Sequence, residues 1–223
     1  MSYSRFAVYF VPPTGALGDF GATWLGWDIS AGVPVAQPDI PGLHDITMTP
    51  RKYGFHGTLK PPFRLARGAG EDALASAVAD LASRTAPATL DGLRLTTLGK
   101  FLALTPKGDT TALQTVAEVC VTQLDTFRTP AAEADLARRR QAGLTPRQDA
   151  LLVQWGYPYV LEEFRFHLTL SGRLTPEDAA KWHETAATVL PDLPDPFVVG
   201  EISLCGERPD GCFEVIDRYP LTG

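Results

Sequence analysis

Two of the four histidines in this 223-residue chain sit in the same frame, His56-Gly57-Thr58-Leu59 and His167-Leu168-Thr169-Leu170. Residues i and i+2 of an extended strand point to one face. Each tetrapeptide therefore presents an imidazole beside a threonine hydroxyl and turns its leucine the other way. With ordinary composition, a given histidine has Thr at +2 and Leu at +3 about once in 200 cases, so a double occurrence is not expected from chance. Histidine is the side chain whose proton moves near neutral pH. Two of them facing one cleft supply a base and an acid, with two hydroxyls to hold oxygen atoms. The spacing leaves open which histidine takes which role.

Alternation adds cations to this face. Lys60 falls with His56 and Thr58, while Arg165 and Ser171 fall with His167 and Thr169. Guanidinium and ammonium groups neutralise phosphate charge, and hydroxyls and imidazoles donate hydrogen bonds to its oxygens. The combination reads as a metal-free site for phosphoester chemistry on a phosphorylated small molecule. Tyr53, Tyr157 and Tyr159 are candidates to stack on a base or sugar, although alternation turns Tyr53 away from His56. Rival chemistries lack their residues. The chain has no Asp/Glu/Cys cluster at metal-ligand spacing, no G-x-S-x-G elbow and no G-x-x-x-x-G-K-[ST] loop or dinucleotide fingerprint. No cofactor is expected. His44 and His183 lie outside the frame and read as structural, and Arg138, Arg139 and Arg140 read as a solvated helix face.

The elements that must position these residues are legible from periodicity and breakers. Strands are expected over 6–11, over 53–60 (ended by Pro61-Pro62), over 89–98 and 99–105 turning near Gly99, over 164–171, and over 197–204 and 212–219. Helices are expected over 71–84, where Leu74, Val78 and Leu81 share a face, over 110–127, and over 176–190 with Thr175 as cap and Asp178 in the first turn. A short helix near 20–27 is followed by a proline-rich loop to residue 50. Residues 130–150 suggest two helices joined at Gly143, and Trp155 to Val160 an aromatic loop. Each histidine strand is followed by a helix and then a strand pair, and Gly99 follows the first histidine at nearly the spacing at which Gly206 follows the second. That is the trace of an internal duplication. It predicts an α+β fold of two lobes related by a pseudo-twofold, with antiparallel sheets lining a central cleft and helices packed outside. The whole of 1–223 reads as one bilobal domain, with a first motif lobe near 50–127, an insertion near 128–160 and a second lobe near 161–223.

Composition narrows the partners. A formal net charge of −6 disfavours a protein that coats nucleic acid, which would carry a basic field, while leaving room for a small anion held by local cations. Cys120, Cys205 and Cys212 read as reduced thiols. No stretch approaches the ~20 apolar residues that span a bilayer, and the N-terminal run resembles no signal sequence. The expected setting is the cytoplasm, away from any membrane, with the chain acting as a monomer.

Paired H-x-[ST]-x motifs about a hundred residues apart inside a duplicated αβ unit resemble the 2H phosphoesterase superfamily. The stretch from Pro50 to Phe63 (PRKYGFHGTLKPPF) and the run Trp155-Gly156-Tyr157-Pro158-Tyr159 leading into Phe164-Arg165-Phe166-His167 are similar to a bacterial branch encoded beside phosphonate-utilisation genes. The resemblance implies a 2H phosphoesterase or RNA-ligase-like fold and metal-independent hydrolysis of a cyclic phosphodiester. It makes His56 and His167 the acid–base pair and Thr58 and Thr169 the holders of non-bridging oxygens. The acidic charge favours a small nucleotide or ribosyl cyclic phosphate. The alternatives are an RNA-end enzyme, opening 2′,3′-cyclic termini or joining 2′–5′ bonds, and a phosphate-binding module without catalysis.

Overall fold

The first strand, β1 (Phe6–Phe10), is apolar at every position and buried on both faces, as a strand must be when layers cover both sides of its sheet. The computed structural model describes residues 3–141 and 143–223. After β1 come α1 (Ala16–Leu25), the short pair β2 (Trp27–Asp28) and β3 (Val33–Pro34), α2 (Leu43–Arg51) and β4 (Gly57–Phe63). Next are α3 (Glu71–Ser83), β5 (Ala88–Leu90), β6 (Leu93–Leu98), β7 (Phe101–Pro106) and α4 (Thr111–Gln123). The 128–160 stretch carries α5 (Glu133–Arg140) and α6 (Pro146–Trp155). The chain closes with β8 (Leu168–Thr169), α7 (Pro176–Val189), β9 (Phe197–Val199), β10 (Glu201–Glu207) and β11 (Phe213–Pro220).

Seven strands form one antiparallel sheet in the order β11-β10-β1-β4-β8-β7-β6. The order exchanges strand pairs between the two sequence halves. The pair β6–β7, which follows the first histidine motif, flanks the second histidine strand β8. The pair β10–β11, which follows the second motif, reaches β4 through β1. The fold is thus the expected α+β duplication about a pseudo-twofold between β4 and β8, and its halves are interlocked. A small β5–β9 ladder ties them again, with Thr89 opposite Val198. No described helix is long and apolar enough to cross a membrane.

One sheet face holds the main core. Leu74, Val78 and Leu81 of α3, Leu113 and Val116 of α4 and Trp182 of α7 pack there against Phe6, Val8 and Phe10. Helix starts are set locally. Thr145 and Gln148 form a reciprocal capping box on α6 with Pro146 at its first position, and the Thr175 hydroxyl accepts from the Asp178 amide at 3.1 Å to start α7. The opposite face, with Ala7, Tyr9, Val11, Trp27 and Phe213 in a second cluster, carries the cleft.

Three local expectations are corrected. Helix α2 is hidden among prolines and polar residues, and contains Pro50 itself. Strand β4 begins later than expected and runs through Pro61-Pro62 to Phe63. Its register against β1 slips twice, pairing Tyr9 with Thr58, Val8 with Lys60 and Phe6 with Phe63. The prolines lie in the second bulge, where no ladder N–H is required of them. Strand β8 keeps only two ladder residues of the expected 164–171.

Candidate active site

Strands β4 and β8 meet at a single pair, Gly57 opposite Leu168. Antiparallel register then sets His56 across from Thr169 and Thr58 across from His167, all four on the face away from the main core. Gly57 makes the approach possible, because a Cβ at that position would overlap the Phe166 ring beneath it. The result is a square with histidines on one diagonal and threonines on the other.

The two imidazoles are held alike. His56 Nδ1 lies 2.9 Å from the Gly54 carbonyl oxygen and His167 Nδ1 lies 2.8 Å from that of Arg165. A carbonyl can only accept, so each Nδ1 carries the hydrogen and each Nε2 is left as the basic nitrogen when the ring is neutral. The Thr58 hydroxyl donates to His56 Nε2 at 3.0 Å. Burial pulls His56 down to a pKa of about 4, opposed by its bond to Gly54 and reinforced by the charge that His167 can carry. Burial lowers His167 as well, against the raising effect of the Arg165 carbonyl. Without a bound anion both rings are neutral at pH 7.

Surroundings break this symmetry. Tyr9 of β1 stacks on His56 with ring centroids 3.7 Å apart, whereas Phe101 of β7 meets His167 at 5.4 Å and a tilt of 56°. Phe101 lies between two cavities. One, of about 420 Å³, is bordered by Thr58, His167, Arg165, Tyr157, Tyr159 and Phe164. The other, of about 260 Å³, is bordered by His56, Thr169, Tyr53, Ser171 and Arg173. Each cavity thus takes one histidine and the threonine of the opposite strand.

Several expectations for individual residues change here. Lys60 is not on the site face. The bulge after Thr58 adds one residue and flips the alternation, so Lys60 shares the inner face with Val8. Its side chain is buried, the ammonium donating to the Val121 carbonyl at 2.9 Å and lying 3.6 Å from Asp125. Burial lowers its pKa to about 8, with Asp125 pulling it back up. Ser171 borders the smaller cavity, but its hydroxyl accepts from the Leu102 amide and donates to the Gly172 carbonyl, both at 2.9 Å. It is therefore spent on backbone. Tyr53 lies near His56, at 6.5 Å between centroids, and not on the opposite face. Residues 52–56 form a turn rather than strand, with Gly54 at φ 68°, so alternation does not apply to them. Arg165, Tyr157 and Tyr159 border the larger cavity.

Two contributors went unforeseen. Tyr9 lies in a strand that reads simply as core. Arg173 carries the His167–Thr169–Ser171 alternation one step further and was within reach of the same rule. His44 and His183 border neither cavity. Among the described residues no three His, Cys, Asp or Glu side chains converge as a metal site.

Comparison with known proteins adds a family. The chain is 37% identical over its whole length to a protein of Janthinobacterium sp. (strain Marseille) named ribose 1,5-bisphosphate phosphokinase PhnN, of which it covers 52%. A protein of the same name from Laribacter hongkongensis (strain HLHK9) is 36% identical over 82% of this chain and 43% of its own length. The chain thus spans about half the length of the curated relatives it matches. Two solved structures align over nearly the full chain. One is described as a phosphoesterase (15% identity, 99% of each chain, TM-score 0.43), and the other is a protein of Thermus thermophilus (16% identity, 98% of each chain, TM-score 0.39). At those scores neither likeness bears on activity. The family model described as a protein of unknown function, DUF1045, matches residues 58–214, more than half of the chain, and this chain belongs to that family.

Proposed function

We propose that this chain is a metal-independent cyclic phosphodiesterase acting on a small sugar or nucleotide cyclic phosphate. The observation that carries the reading is the His–Thr square, with both Nδ1 atoms tied to backbone carbonyls, so that each Nε2 is the basic nitrogen, that of His56 reached by the Thr58 hydroxyl. Thr58 and Thr169 hold the non-bridging oxygens. A water attacks phosphorus and loses its proton to one neutral imidazole. The ring P–O bond breaks, and the protonated partner gives its proton to the departing sugar oxygen. Water is consumed and a phosphomonoester with a free hydroxyl results. His56, the ring more strongly depressed by burial, is the base, and His167, which burial depresses less, is the acid.

The relatives' name supports a ribosyl substrate. Hydrolysis of a ribosyl 1,2-cyclic phosphate at its O2 bond leaves a ribose 1-phosphate, one of the two phosphates in ribose 1,5-bisphosphate. This chain spans about half of those relatives and lacks a G-x-x-x-x-G-K-[ST] loop, so we assign the kinase name to the part it does not span. The testing experiment is phosphorus NMR on ribosyl 1,2-cyclic phosphate, 2′,3′-cyclic nucleotides and cyclic-ended oligonucleotides. Turnover of the small rings is expected, and turnover of none of them would refute the reading.

The pKa directions give a pH signature. kcat/KM reports the free enzyme, in which His56 titrates at about 4 and His167 below its ordinary 6.5. One ring must be neutral and the other charged, so activity rises as pH climbs through the lower value and falls as it climbs through the higher. The kcat/KM bell is therefore expected to peak on the acid side of pH 6.5. The kcat bell should lie higher, because bound phosphate stabilises imidazolium. A kcat/KM profile peaking above pH 7 would contradict the two buried, neutral rings.

Lys60→Met tests the correction made above. It should lower stability by about 1.5–3 kcal/mol, by deleting a buried hydrogen bond made by a charged group, and leave kcat/KM within about twofold of wild type. A tenfold activity loss in a folded variant would return the ammonium to the site.

A further inference from the structure

Beside the histidine cavities lies a third, of about 470 Å³, bordered by Arg5, Arg64, Arg128, Arg138 and Arg139. An acidic chain thus gathers five of its 20 lysines and arginines around one hollow. Among the described residues two carboxylates border it, Asp135 and Glu207. Glu207 pairs with Arg5, Asp135 with Arg138 at 2.6 Å, and Asp125, from outside the border, holds Arg128 at 2.7 Å. Among the described residues, Arg64 and Arg139 have no carboxylate within ion-pair reach. Arg64 is exposed, and the Arg139 guanidinium lies 4.9 Å from the centre of the Tyr157 ring. Arg139 therefore leaves the solvated face assigned to it from its helical run.

This hollow adjoins the site. Pro61 and Tyr157 border the cavity of His167, and their chain neighbours Pro62 and Gly156 border the arginine cavity. The two cavities are thus lined from adjacent positions of the chain at both places. Arg5 also lies 5.6 Å from the centre of the Phe213 ring, on which Tyr53 stacks next to His56. Resting on the cyclic phosphodiesterase reading, we propose that the arginine cavity binds a second phosphate of the substrate, a dianionic monoester on the sugar that carries the cyclic phosphate. Guanidinium forks suit a phosphate monoester because they pair with two of its oxygens at once. The excess of cations over carboxylates provides the charge that a dianion needs.

The test compares ribosyl 1,2-cyclic phosphate with and without a 5-phosphate, and a dinucleotide ending in a 2′,3′-cyclic phosphate. In the wild type the 5-phosphate should raise kcat/KM at least tenfold. In Arg64→Gln and in Arg139→Gln that advantage should shrink at least tenfold, mainly through KM. No preference for the 5-phosphate, or a preference untouched by both variants, overturns the proposal. A dinucleotide weakened as much as the sugar bisphosphate would assign the cavity to a nucleic-acid backbone and also overturn it. Calorimetric titration of inorganic phosphate separates this failure from that of the catalytic reading. The double variant Arg64→Gln/Arg139→Gln should bind phosphate at least fivefold more weakly whether or not any cyclic ester is hydrolysed. Unchanged binding overturns the site even if hydrolysis is found.

Discussion

His56→Ala and His167→Ala are each expected to lower kcat/KM for a small cyclic phosphate by about 10²- to 10⁴-fold, the usual contribution of a positioned general acid or base. The losses should not add. Once either proton carrier is gone the other has no partner step to serve, so the double variant should resemble the worse single one. Folding should survive. Both rings border open cavities, and neither belongs to the main hydrophobic core. Thermal unfolding within a few degrees of wild type, measured on the same preparations, separates lost chemistry from lost structure. A folded alanine variant retaining more than a tenth of wild-type turnover would remove that histidine from the mechanism.

Gly57→Val should be the most damaging substitution that deletes no functional group. Any Cβ at 57 collides with Phe166, and that ring is hemmed in by Phe10 at 6.2 Å and Phe197 at 6.0 Å. The collision falls at the one ladder pair joining the histidine strands. Overpacking of a tight core costs about 1–3 kcal/mol and sometimes more. A branched side chain here belongs at the upper end, with activity falling as the square is pried open. Gly57→Ala combined with Phe166→Leu should recover part of the loss of Gly57→Ala alone, a non-additive result that chemical denaturation can resolve. Additive losses would mean that the glycine serves something other than this approach.

How much the sequence told depended on how local the cause was. The histidines and threonines were found because a period of two needs only neighbouring residues, and the caps of α7 because Thr175 and Asp178 are three apart. Lys60 was misplaced because its orientation depends on a bulge set by pairing with Val8, a partner far away in sequence. Tyr53 was misplaced because a strand was assumed four residues before one begins. Ser171 looked available until its hydroxyl was found bonded to Leu102, across a ladder no spacing reveals. Arg139 carried an ordinary surface signature, and only the fold of 128–160 back onto the cleft brings it over Tyr157. Tyr9 offered no signal, since a tyrosine in an apolar strand looks like core.

The exchange of strand pairs between the halves gives the molecule the build of a two-copy assembly whose copies have been joined end to end. In such an assembly the square of β4 and β8 sits on the axis, where a residue meets its own counterpart. The two histidines then start as one residue encountered twice. Any division of labour between them must come from what each copy has since acquired. The tyrosine stacked on one ring and the tilted phenylalanine against the other are two such acquisitions, and a directional reaction needs differences of this kind.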